Sequence, residues 1–147
     1  MNECTRLEAA STGGTMTTIT TDRLTITLRQ PPRVLHPNGR TRKHRYRWSE
    51  ARKMRQLARS MATVAIREYF GGVPPRWERA VVTVTVFYGH GQKRMDADNI
   101  IGWCKAIFDG LQDAEVYGND RNISFDDPRH ERDRTRPRVM IEVRERE

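Results

Sequence analysis

The chain has 147 residues, 36% of them hydrophobic, which suits one compact domain with a buried core and is too few for two of ordinary size. Its 27 Lys and Arg against 19 Asp and Glu give a net charge of +8, so the expected partners carry phosphates. Two cysteines, Cys4 and Cys104, make neither a disulfide framework nor a zinc-ligand spacing; with no run of about 18 apolar residues and no secretory signal region, the chain reads as soluble, cytoplasmic and without a membrane partner.

Residues 1–21 are rich in Ser, Thr and Gly and read as a disordered leader, with Met16 an alternative start. A single domain over 22–147 follows. Leu24, Ile26 and Leu28 alternate with Thr25, Thr27 and Arg29, which predicts a half-buried strand ending before Pro31-Pro32. From Arg33 to Trp48 the chain is basic and irregular, with Arg40, Arg42, Lys43, Arg45 and Arg47 interleaved with His36, His44, Tyr46 and Trp48. That composition builds no core; it suits phosphate contact and base stacking, or a solvated surface. Arginine makes up all but four of the basic residues, the lysines being Lys43, Lys53, Lys93 and Lys105. The excess favours bidentate phosphate contacts or reflects a GC-rich genome.

Ser49 is placed to cap a helix in which Ala51, Met54, Ala58, Met61 and Ala65 recur at spacings of three and four, ending near Phe70 before Gly71-Gly72. Arg79 to Tyr88 is β-branched almost throughout and predicts a central strand. A polar loop from Gly89 to Met95, with Lys93 and Arg94 as further basic candidates, leads to a second helix running to about Asp113. Ile123 and Phe125 begin a short strand, an Arg-rich loop spans Arg129 to Arg138, and Val139, Ile141 and Val143 alternate as the last strand. The predicted fold is a small α+β domain, α/β mixed, with a mixed sheet of about four strands on two main helices.

Asp96 and Asp98 stand two residues apart at the start of the second helix. At about 100° per residue from Asp98, Lys105 falls near 340°, Asp109 near 20° and Gln112 near 320°. Ile100, Cys104, Ile107 and Leu111 fall on the opposite side, so the helix has one chemical edge and one core edge. Magnesium takes one or two carboxylates, water and substrate phosphate, which Asp96, Asp98 and a third acid would suit. The alternative is structural: Asp98 or Asn99 as helix N-cap, Asp96 favouring the dipole, Lys105 paired with Asp109, and Asp109 and Asp113 facing solvent.

Three segments in order, Asp96-Ala97-Asp98-Asn99-Ile100, Lys105-Ala106-Ile107-Phe108-Asp109-Gly110-Leu111 and Val116-Tyr117-Gly118-Asn119-Asp120, resemble the signature of the RusA-type Holliday junction resolvases. These are endonucleases common in bacteriophages and prophages, and the likeness extends loosely over residues 22–144. It implies a RusA-like fold, Asp96, Asp98 and Asp120 as metal-binding carboxylates, Lys105 as the catalytic lysine, and magnesium as cofactor with manganese as substitute. It also implies a homodimer in a bacterial or phage-infected cell that cuts a four-way DNA junction symmetrically in recombination and repair. Basic side chains from the segments at 40–47 and 129–138 would line the junction arms. Two features depart from the pattern: Asn119 stands where many members carry aspartate, and the Asp98 to Lys105 spacing exceeds the shortest family version. Two other functions fit the basic chain, a catalytically silent DNA-binding regulator and a nuclease less selective among branched DNAs.

Overall fold

The computed structural model describes the backbone of residues 7–10, 16–20, 22–37 and 44–147, and the side chains of 22–37 and 46–147. In chain order the strands and α-helices are β1 (Leu7–Ala10), β2 (Met16–Thr20), β3 (Arg23–Arg29), α1 (His44–Tyr69), β4 (Ala80–Tyr88), α2 (Ala97–Trp103), α3 (Lys105–Asp113), β5 (Ile123–Phe125), β6 (Arg129–Arg132) and β7 (Arg138–Glu145). They form a small α+β domain. The described strands make one sheet in the order β1-β2-β3-β7-β4-β5, with β6 also on β4; β5 and β6 run parallel to β4 and the other pairings are antiparallel.

The period-two strands align into rows. Leu24, Val143 and Val82 stand side by side, as do Ile26, Ile141 and Val84, and Leu28, Val139 and Val86. All nine are at most 2% exposed, in one core with Met54, Ala58 and Ala62 of α1 and Ile107 and Leu111 of α3. Each such burial stabilises by about 1.5–3 kcal/mol, whereas the domain's exposed ion pairs contribute about 0–1 kcal/mol each; apolar packing therefore sets this architecture. The rows on the other face are more polar: Thr25, Glu142 and Thr83, then Thr27, Met140 and Thr85.

Several expectations require correction. The sheet has more strands than the four foreseen, because β1 and β2 arise within the segment read as a leader and β6 within the one read as an Arg-rich loop. The remainder of residues 1–21 lies outside the described residues. β6 escapes a period-two reading because it lies along the edge of β4 and three of its four side chains are exposed. Its separation from β5 falls at Pro128, which has no amide hydrogen to continue the ladder on β4. α1 begins at His44, so Ser49 is a helix-interior residue and not a cap, and the basic segment from His44 to Trp48 is helical. The helix does end where foreseen: Gly71 and Gly72 take positive φ, and the Gly72 amide returns to the Ile66 carbonyl.

The helix after Met95 is interrupted at Cys104, whose ψ of 5° ends α2 and starts α3. The two-faced partition nevertheless survives the break. Ile100, Cys104, Ile107 and Leu111 are fully buried, while Asp98 and Lys105 are exposed. α3 meets α1 at Gly110, where a Cβ would collide with the Arg55 carbonyl oxygen and lie 2.8 Å from the Ala58 Cβ and 3.0 Å from the Arg59 nitrogen.

Candidate functional site

The loop that delivers Asp96 is fastened from three sides. The Gln92 side chain accepts from the Gly89 amide at 2.6 Å and exchanges hydrogen bonds with the side chain of Gln30, which also donates to the Phe87 carbonyl. The segment between β6 and β7 crosses the end of β4: the Asp133 amide donates to the Tyr88 carbonyl, Arg132 donates to the Gly89 carbonyl, and Pro137 would lie 3.2 Å from a Cβ at Gly89. Asp133 shapes that crossing by accepting from the Thr135 and Arg136 amides and from the Arg138 side chain. Arg138 and Thr135 are the leading causes that hold its carboxyl down to about 2.

Beneath the loop, the Met95 amide donates to the Tyr88 hydroxyl at 3.1 Å, and that hydroxyl lies 2.9 Å from His130 Nδ1. An amide can only donate, so the hydroxyl accepts from Met95 and its own hydrogen is available to the imidazole when Nδ1 is unprotonated. Burial, followed by the nearby Arg94 charge, pushes the His130 pKa down and favours that neutral ring.

Asp96 occupies the N-cap position of α2 with extended backbone, yet its side chain makes no capping hydrogen bond. Asp98 lies in the first turn. Both are exposed, and neither carboxylate has an ion pair or hydrogen bond among the described residues. Lys105 holds both oxygens of Asp109 at 3.3 Å, an exposed i,i+4 pair.

Asp120 opens a 3-10 turn, Asp120–Asn122, whose cap is Asn119: its side-chain oxygen accepts from the Arg121 amide. The turn leads to Ile123 opposite Ala80, whereas the Met95 amide is tied to Tyr88 at the far end of β4. A nine-residue strand extends about 26 Å, so Asp120 and the Asp96/Asp98 pair serve opposite ends of the sheet. The acids gathered near Asp120 are those of α3. Tyr117, buried with its hydroxyl donating to the Phe108 carbonyl, has its pKa raised by burial first and then by Asp109, Asp120 and Asp113. Among the described residues no three His, Cys, Asp or Glu side chains are grouped so as to hold a metal ion.

Asp113 is tied to Arg55 by hydrogen bonds of 2.6 and 2.8 Å, which depress its pKa against the opposing effect of burial. Cys104 is a core side chain; burial raises its thiol pKa to about 12, so it is no nucleophile at neutral pH.

Of the predicted DNA-binding residues, Arg40, Arg42 and Lys43 lie outside the described residues, as does the side chain of Arg45, which falls in α1. Arg47 is half-buried on α1, while Lys93 and Arg94 are exposed just before Asp96. Two arginines expected to face DNA from the 129–138 segment are engaged within the fold: Arg132 in the loop clamp, and Arg138 on Asp133 and over the Phe87 ring at 3.8 Å. Sequence reasoning passed over Arg52, Arg55 and Arg59, although their spacing on the predicted helix was the available signal.

No known family model matches the chain, and no curated protein does. Among solved structures it is similar to the crystal structure of the periplasmic domain of Helicobacter pylori MotB, with 13% identity, a TM-score of 0.45 and coverage of 97% of this chain and 88% of that one. So low a score carries no argument about function. Among the described residues no helix is long and apolar enough to cross a membrane.

Proposed function

We propose that this chain is a magnesium-dependent endonuclease that resolves four-way DNA junctions by paired cuts, acting as a twofold homodimer. The observation that carries the reading is the Asp96/Asp98 pair: two exposed carboxylates without partners among the described residues, held by a clamped loop in a chain of net charge +8.

The residues present fit magnesium in part. Asp96 and Asp98 would hold an ion that keeps most of its water and takes a DNA phosphate as a further ligand. Asp120, serving the other end of β4, does not join them within one chain. Bound there, the ion would supply Lewis-acid stabilisation and a more acidic water. The chain's own contributions are distinct. The Tyr88 and Gln92 hydrogen bonds hold the loop so that the carboxylates keep their aim, and Lys93 and Arg94 provide positive charge for the backbone beside the scissile phosphate. Lys105 can leave Asp109 for that phosphate, because an exposed i,i+4 pair contributes only about 0.3–0.5 kcal/mol. Two such sites in a twofold dimer would match the two symmetry-related strands of a junction.

An end-labelled junction, fork and linear duplex, each incubated with magnesium or with chelator, test the proposal. Symmetric magnesium-dependent cuts confined to the junction are expected. Cutting of all branched substrates alike would make the enzyme a less selective nuclease, and binding without cutting on every substrate would make it a silent DNA-binding protein.

A further inference from the structure

α1 and α3 enclose an open groove of about 490 Å³ lined by Trp48, Arg52, Arg55, Arg59, Asp109 and Asp113 together with small apolar side chains. Its charges divide into two sets. Arg55 is neutralised by Asp113, and Asp109 by Lys105. Arg52 and Arg59 form no ion pair among the described residues, so the uncompensated charge along the groove is positive and lies on the α1 side.

Trp48 lines the same groove and is 67% exposed. The Arg52 guanidinium lies over its ring, 5.7 Å from the centroid. The cation therefore meets one side of the indole, most of which stays exposed, and can bind an anion at the ring's edge.

We propose that this groove binds a short unpaired segment of DNA, one base stacked on Trp48 and phosphates further along the strand held by Arg52 and Arg59. Three features select that ligand. A flat indole beside arginine recognises a base face, which duplex DNA hides within its own stack and an unpaired strand exposes. The two arginines lie seven residues apart on one helix, about 10 Å along its axis, so they reach separate phosphates of an extended strand but contact too little to hold a rigid duplex. The α3 carboxylates Asp109 and Asp113 are each held by a cation, Lys105 and Arg55, which lowers the repulsion a DNA backbone would meet from that wall. The inference rests on the proposal that the ligand is branched DNA; a four-way junction pairs all its bases, so the groove would take a strand only where the branch point opens.

The test is Trp48 emission and the anisotropy of a labelled oligothymidylate, measured in chelator so that nothing is cut, with a duplex of equal length for comparison. Trp77 and Trp103 are each 6% exposed, so quenching by the single strand reports on Trp48. Wild type is expected to show that quenching. Trp48→Leu, and separately the pair Arg52→Glu and Arg59→Glu, are expected to weaken single-strand binding about tenfold or more while duplex affinity falls much less. Because all three side chains are exposed, these variants should keep the wild-type melting temperature; Arg52→Lys with Arg59→Lys, which retains the charge, checks that any loss is not misfolding. An unresponsive Trp48, or equal losses on both DNAs, overturns the proposal. Junction cutting is read separately in magnesium: a protein that binds the strand without cutting keeps the groove and loses the nuclease reading, whereas one that cuts while Trp48 stays silent does the reverse.

Discussion

Replacing Gly110 with alanine puts a methyl group where α1 and α3 leave no room. The added Cβ would strike the Arg55 carbonyl oxygen and stand 2.8 Å from the Ala58 Cβ and 3.0 Å from the Arg59 nitrogen. Two of these neighbours are backbone and cannot rotate away, so the helices must part by on the order of 1 Å to restore the usual 3.5–4.0 Å contact. Overpacking of this kind costs about 1–3 kcal/mol, and with backbone as the obstacle the upper end applies. The better helix propensity of alanine returns about 1 kcal/mol. The net destabilisation is about 2 kcal/mol, which for a domain of this size lowers the melting temperature by roughly 4–8 °C. The assay is thermal and urea unfolding of wild type, Gly110→Ala and Gly118→Ala, the last being a control because a Cβ at Gly118 meets nothing within 4 Å. A Gly110→Ala protein as stable as the control, or more stable, would refute the close crossing of α1 and α3.

Tyr88→Phe removes the acceptor of the Met95 amide and the partner of His130; urea unfolding should show a loss of about 1 kcal/mol, with slower junction cutting and unchanged DNA affinity as the loop loses its fixed aim. Asp113 is held below the usual carboxylate range by Arg55, so its contribution is complete above the unfolded value of about 3.9 and disappears as pH falls through the lower folded value. Accordingly, Asp113→Asn should melt below wild type at pH 7, and the difference should shrink below about pH 4; a gap that widens in acid would contradict the pairing.

The core elements were legible in the sequence because burial leaves a periodic trace. Leu24, Ile26 and Leu28 in β3, Val82, Val84 and Val86 in β4, and Val139, Ile141 and Val143 in β7 alternate because one sheet face is covered by helices. The two-sided character of α2 and α3 was legible for the same reason. β6 was not, since an edge strand rich in charge carries no alternation, and neither was the start of α1, whose basic first turns have no apolar stripe to read. At the candidate site the sequence located Asp96 and Asp98 and their place at a helix start, and Lys105 with Asp109 on one stripe. It did not reveal that Asp120 belongs with Asp109 and Asp113 around Tyr117. Sequence spacing says nothing of which end of a strand a later turn reaches; that depends on the parallel pairing of β5 with β4. The groove arginines were overlooked because their meaning depends on α3, which supplies the opposite wall.

On the proposed function, Asp96 and Asp98 form the metal-binding edge of a DNA-cutting site. Wild type, Asp98→Asn and Asp120→Asn should be compared on one end-labelled four-way junction, scoring retardation in chelator and cutting in magnesium, with magnesium affinity measured calorimetrically on the same preparations. All three are expected to bind the junction, with Asp98→Asn losing both cutting and magnesium affinity and Asp120→Asn keeping the magnesium affinity of wild type. A variant lacking Asp98 that still binds magnesium and cuts as wild type does would contradict the proposed function.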